Sequence, residues 1–168
     1  MKIRLARNSD LPLITEMFHR IVESMRKNGI DIWNEHYPFD YLADDIEAGT
    51  LYVLEDGDRI LSAFTIDSKN EAAGEVEWTE PGAKAVYFDR FGVEPSCQRQ
   101  GVGRMSVDSA AQLAREAGAQ YLRLFVVDIN TPAIALYEAC GFVSAGGVYE
   151  EKINEHTTLR EYGYELKL

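Results

Sequence analysis

Residues 93–107 read Val-Glu-Pro-Ser-Cys-Gln-Arg-Gln-Gly-Val-Gly-Arg-Met-Ser-Val. They follow an alternating apolar run, AVYFDRFGV at 85–93, and open a helical pattern from about Val102 to Ala117 that stops at Gly118. A strand that passes through a glycine-bearing turn into a helix presents the helix's first amides. These have no partners inside the helix and lie at the positive end of its dipole. Gly101 and Gly103 let the backbone approach a ligand closely and take up conformations that other residues avoid. Such a turn binds phosphate or pyrophosphate well, and Arg99 and Arg104 would add charge-assisted contacts. On these residues alone, a tight connection that binds nothing remains the other reading. Two common phosphate loops do not fit. G-x-x-x-x-G-K-[ST] is absent, and Ser106 stands where G-x-G-x-x-G needs its third glycine.

Outward from this stretch the elements can be read in order. Upstream, residues 2–7 alternate as a strand, and Ser9-Asp10 starts a helix with Leu13, Ile14, Met17, Phe18, Ile21, Val22 and Met25 at helical spacing until Gly29. A shorter helix fits Phe39 to Ala48, ended by Gly49. Two apolar runs in LYVLEDGDRILSAFTI flank Asp56-Gly57, a hairpin signal, and residues 68–83 read as a polar loop. Downstream, residues 121–127 (YLRLFVV) suit a central strand. Thr131-Pro132 starts a helix that Cys140-Gly141 ends, and Phe142 to Tyr149 and Thr157 to Leu168 read as two more strands. The order β-α-α-β-β-β-α-β-α-β-β predicts a mixed α/β fold with one strand–helix–strand crossover between antiparallel ends. The repeated β-α-β of a dinucleotide-binding domain is not present.

Composition narrows the function classes. A chain of 168 residues suits one domain, 1–168. The net charge of −11 argues against nucleic-acid binding, which wants a basic surface. No run approaches the roughly 20 apolar residues of a membrane span, and MKIRLARNSD carries no apolar h-region, so no membrane partner and a cytoplasmic location are expected. Cys97 and Cys140 form no C-x-x-C pair, and His19, His36 and His156 are scattered, so no metal is expected.

Gln98-Arg99-Gln100-Gly101-Val102-Gly103 resembles the acetyl-CoA pyrophosphate motif of the GNAT superfamily of N-acetyltransferases, [QR]-x-x-G-x-[GA], and Val93-x-Pro95 ahead of it fits as well. Further on, Asn130-Thr-Pro-Ala133-Ile-Ala-Leu-Tyr137-Glu-Ala-Cys-Gly141-Phe142 is similar to the family's second marker, N-x-x-A-x-x-L-Y-x-x-x-G-F. The order of the remaining elements also matches.

The resemblance implies a central mixed sheet with two splayed parallel strands, flanked by helices, and acetyl-CoA as the acetyl donor without a metal. Phe91 and Val93 would meet the pantetheine arm from one strand, and Asn130 and Ala133 from the other side. The amides of Gln98, Arg99, Gln100, Gly101, Val102, Gly103 and Arg104 would hold the pyrophosphate. Tyr137 would protonate the departing thiolate. Without the marker, Tyr137 would read as packing on a face shared with Ala133 and Cys140.

The acceptor would be an amine of a small molecule or peptide that attacks directly, and it needs a base. Asp89 is the candidate, since alternation puts it on one strand face with Tyr87, Phe91 and Val93. A charge paired with arginine or facing solvent is the other reading of Asp89, and Glu77, in a loop, is a weaker base. In this family the stretch between the first two helices borders the acceptor site, so Trp33, His36 and Tyr37 form a candidate aromatic wall for a cationic amine, with Tyr149 as a similar guess. Caps on the core are the other reading of these residues. Family members are often dimers, which leaves a homodimer open. A non-catalytic acyl-CoA sensor of the same fold is the alternative to an enzyme.

Overall fold

The computed structural model describes residues 1–153, 155 and 157–168; His156 lies outside them. The elements are β1 (Lys2–Leu5), α1 (Leu11–Lys27), α2 (Leu42–Ala48), β2 (Leu51–Asp56), β3 (Arg59–Asp67), β4 (Ala85–Val93), α3 (Val102–Glu116), β5 (Tyr121–Val127), α4 (Thr131–Ala139), β6 (Val143–Ser144), β7 (Tyr149–Lys152) and β8 (Thr158–Lys167). Two compact units result, one from Met1–Ile66 with Asp89–Ser109, the other from Asp67–Phe88 with Ala110–Leu168. Strand β4 and helix α3 each begin in one unit and end in the other.

In the first unit the strands run β1-β2-β3-β4, with β1, β2 and β3 antiparallel. Gly57, at φ 60°, makes the β2–β3 turn as the Asp-Gly pair predicts. The apolar stripe of α1 (Ile14, Met17, Phe18 and Ile21) is buried with Leu42 and Ile46 of α2 against Leu51, Val53 and Ala63 of the strands. A second cluster on the strands joins Leu54, Leu61 and Val93 to Cys97 and Val102 at the start of α3. The predicted helix from Phe39 is shorter than expected. Phe39–Tyr41 is a 3₁₀ turn, and the α-helix begins at Leu42.

In the second unit the order is β4-β5-β8-β6, with β7 also on β8. The parallel β4–β5 ladder runs only from Ala85↔Tyr121 to Tyr87↔Arg123, whereas β5 and β8 pair antiparallel along all of β5, from Tyr121↔Lys167 to Val127↔Glu161. The interior holds an ion pair, Arg123 Nε to Glu165 Oε2 at 3.2 Å, with both side chains almost fully buried. Its other valences are met by backbone: Arg123 Nη2 donates to Glu80 O at 2.7 Å and Thr79 N donates to Glu165 Oε1 at 2.8 Å.

Two expectations change here. The strand predicted over Phe142–Tyr149 divides into β6 and β7. The chain bends away at Gly146, which bridges to Glu77, and Gly147 takes φ 85°. The segment read as a polar loop, 68–83, also contributes to the core through Val76 and Trp78, which pack with Tyr87 and Phe125. Its Asn70 side chain caps a 3₁₀ turn by accepting from Ala72 N at 2.9 Å.

Candidate active site

The turn between β4 and α3 is held from both sides. Glu94 N donates to Leu61 O at 2.9 Å. The Glu94 carboxylate is buried and accepts from Arg20 Nη2 at 2.8 Å. Pro95–Cys97 make one 3₁₀ turn. Gln98 and Gln100 brace it through their side-chain amides, to Val93 O at 3.5 Å and Ser96 O at 2.8 Å. Arg99 at φ 59° and Gly101 at φ 84° then turn the chain into the helix.

A Cβ on Gly101 would meet nothing within 4 Å, so glycine is required there by conformation and not by crowding. Met105 N donates to Gly101 O at 3.0 Å. The first-turn amides of α3 therefore have no acceptor inside the helix. Behind that turn Ser106 Oγ donates to Val102 O at 2.9 Å and sits 2.6 Å from Ser62 Oγ of β3, both hydroxyls being fully buried. Because the Ser106 proton is spent on Val102, Ser62 is the donor between the two. Ser106 thus has a positive role that its reading as an absent glycine did not supply. A left-handed glycine thus stands directly ahead of the α3 N-terminus, with basic Arg99 and Arg104 in the same stretch.

Strict alternation along β4 does not hold. Phe91 meets Phe64 edge-on at 6.4 Å, and Val93 joins the cluster with Val102. A Cβ on Gly92 would strike Ile21 and Phe18 of α1, so that position faces the other way. Arg90, left-handed at φ 46°, reaches Asp45 of α2, and Asp89 beside it turns to the same α1–α2 side. The left-handed residue puts two successive side chains on one side, as at a β-bulge. Asp89 therefore does not share a face with Phe91 and Val93.

It is brought instead to Tyr37, which ordinary spacing would not reveal. Tyr37 Oη donates to Asp89 Oδ1 at 3.1 Å, and Arg90 N donates to the same oxygen at 2.7 Å. Arg90 Nη1 lies 3.4 Å from Asp89 Oδ2 and binds Asp45 through Nε (2.7 Å) and Nη2 (2.9 Å). Burial, and then the Asp89 charge, push the Tyr37 phenol well above its ordinary pKa. Trp33 stands 6.1 Å from Tyr37 and 5.5 Å from Phe18, and it packs against the α1–α2 core cluster. The His36 ring is exposed and lies 3.1 Å from Asp40.

In the second unit Asn130 leads into α4, its carbonyl accepting from Ala133 N and Ile134 N at 3.1 Å each. One helical turn later Tyr137 is buried, perpendicular to Phe88 at 6.3 Å and tilted on Phe142 at 5.7 Å. Tyr149 lies edge-on to Phe125 at 6.1 Å, and burial, followed by Glu151, Glu161, Glu75 and Glu71, raises its phenol pKa. Glu77 is held in a bridge, its N donating to Gly146 O at 2.7 Å. Among the described residues no cluster of His, Cys, Asp or Glu could hold a metal ion, and no helix is long and apolar enough to cross a membrane.

Comparison with known proteins bears on the family and the fold. The model of the acetyltransferase (GNAT) family matches residues 16–142. S-(2-succino)cysteine N-acetyltransferase of Bacillus subtilis is 26% identical over 149 residues, 86% of each chain. Streptothricin acetyltransferase of Streptomyces lavendulae is 43% identical over 54 residues, 32% of this chain and 29% of that protein. Among solved structures, a GNAT-family acetyltransferase from Streptococcus agalactiae superposes with TM-score 0.83 at 19% identity, covering 99% of this chain and 95% of the other. The yncA protein of Salmonella typhimurium, solved with its cofactor acetyl-CoA, gives 0.72 at 20% identity over 100% and 94%. The chain belongs to the GNAT family and is an acetyltransferase.

Proposed function

We propose that residues 1–168 form one N-acetyltransferase domain, working in the cytoplasm, that moves the acetyl group of acetyl-CoA to a primary amine of a small molecule or peptide. The observation that carries this reading is the left-handed turn at Arg99–Gly101, which leads into the N-terminus of α3. The turn and the helix start, Gln98 through Gly103 to Arg104, hold the pyrophosphate. Phe91, Val93, Asn130 and Ala133 hold the pantetheine arm. Acetyl-CoA supplies a thioester-activated acetyl group, which the acceptor nitrogen attacks directly.

The protein's part is then positioning and proton management. The backbone N–H near Val93 stabilises the developing oxyanion. The Tyr137 hydroxyl, ordinarily protonated at neutral pH with a reference pKa of about 10, gives its proton to the departing sulfur. Asp89 takes a proton from the incoming ammonium, directly or through water. Trp33, Tyr37 and Tyr149 are the acceptor-side surfaces.

Relatives support an amine acceptor: one is named for S-(2-succino)cysteine and another for streptothricin. A non-catalytic acyl-CoA sensor is less well supported, because the chain keeps Tyr137 in its motif. The test is thiol release from acetyl-CoA across a panel of primary amines. Amine-dependent release is expected, and acetyl-CoA binding with no release for any amine would favour the sensor.

A further inference from the structure

Acetyl-CoA is a polyanion, yet this chain carries a net charge of −11, and the turn that leads into α3 begins with an acid. The Glu94 side chain is only 10% exposed. Its backbone is built into the turn: Cys97 N donates to Glu94 O at 2.8 Å and Glu94 N donates to Leu61 O at 2.9 Å. The Gln98 side chain reaches back to Val93 O at 3.5 Å, so the first residue of the motif sits within one turn of the acid. Like charges set together oppose binding. Over about 10 Å, at an effective dielectric constant of about 20, the repulsion of a bare carboxylate is worth about tenfold in affinity.

The compensating charge comes from α1. This helix lies so close to the end of β4 that a Cβ on Gly92 would fall 2.7 Å from Ile21. One residue before Ile21, Arg20 sends Nε to the two Glu94 oxygens at 3.3 and 3.1 Å and Nη2 to Oε2 at 2.8 Å. The arginine side chain is 51% exposed, so the pair is half in water on one side and closed on the other. We infer that Arg20 sets the affinity for the acetyl donor through Glu94, by cancelling the charge of a buried carboxylate at the foot of the pyrophosphate turn. The inference rests on the reading of residues 98–104 as the pyrophosphate site. Arg20 is thus a positioning residue, which acts on the donor through another side chain.

Charge and mechanical tie can be separated, because glutamine keeps a hydrogen bond at either position. Arg20→Gln still donates to Glu94 but leaves its charge bare. Glu94→Gln still accepts from Arg20 but leaves the cation in excess. If charge governs, the two variants move affinity in opposite directions. If the tie governs, both weaken it.

The test is calorimetric titration with acetyl-CoA at low ionic strength and mildly alkaline pH, where the acid stays ionised. Arg20→Gln should weaken binding about tenfold. Glu94→Gln should tighten it by about two- to threefold, less because the exposed arginine is screened. The double variant should return to within about twofold of the unmodified protein. Arg20→Lys keeps the charge without the two-point grip and should also bind within about threefold of it, which keeps the inference testable if Arg20→Gln fails to fold.

Weaker binding in Glu94→Gln would overturn the inference, and so would an Arg20→Lys that loses about tenfold. A double variant as weak as Arg20→Gln would overturn it too, by showing that Arg20 serves the donor without Glu94. Failure of the unmodified protein to bind acetyl-CoA would instead overturn the functional reading beneath it.

Discussion

At the scale of single residues, Gly101 and Tyr137 carry the strongest expectations. Gly101→Ala places a Cβ at φ 84° with open space around it. The cost is thus conformational, about 1–2 kcal/mol of stability, readable as a lower thermal midpoint. Crowding is the concern at Gly103, in the first turn of α3. A Leu there should weaken acetyl-CoA binding by at least about tenfold, or 1.4 kcal/mol, and unchanged affinity in a folded variant would remove the loop assignment. Tyr137→Phe keeps the ring that packs on Phe88 and Phe142 and removes the hydroxyl. It should bind acetyl-CoA normally and turn over about 10²–10⁴-fold more slowly, and full activity across pH would end the acid role. Asp89→Asn should depress the rate most at low pH, where neutral amine is scarcest.

At the scale of elements, what could be read from sequence was the local signal, and what could not was set by distant partners. The apolar spacing in α1, the Asp56-Gly57 turn and the Thr131-Pro132 start all lie within a few residues of what they specify, and each appears as expected. The departure along β4 comes from Arg90, whose left-handed backbone accompanies a grip on Asp45, 45 residues away. The Tyr37–Asp89 bond spans 52 residues, so no local pattern announces it. The Ser62–Ser106 contact is of the same kind, and it secures the first turn of α3 to β3. Ser106→Ala leaves the buried Ser62 hydroxyl without its acceptor, a cost of about 1–3 kcal/mol. A denaturation curve checks this, and acetyl-CoA affinity should fall in parallel if that turn holds the pyrophosphate. Trp33 and Tyr37 were singled out by the family resemblance, which places that stretch beside the acceptor, and nothing in it pointed to the Asp89 carboxylate that Tyr37 binds.

At the scale of the whole molecule, the charge balance and the buried acids make pH the informative variable. Asp10 is held below its ordinary pKa first by its hydrogen bond from Arg4, and both side chains are largely buried. A depressed carboxylate pKa means stability that is present above the unfolded value of about 4 and is lost as pH falls through the folded value. Asp10→Asn should therefore flatten the acid limb of the stability curve. Tyr37 acts at the opposite end. Its raised phenol pKa makes the folded state hold a proton that the unfolded chain releases above about pH 10, so stability falls as pH rises past that point. Tyr37→Phe should remove that alkaline loss, as urea unfolding across pH would show.

Family membership rests on the span of residues 16–142, yet the donor site is the feature on which every mechanistic step depends. The most direct test is calorimetric titration of the purified protein with acetyl-CoA, with CoA and NADH as comparisons. The account predicts micromolar-range binding of acetyl-CoA and little for NADH. No acetyl-CoA binding, or equal binding of NADH, would contradict it.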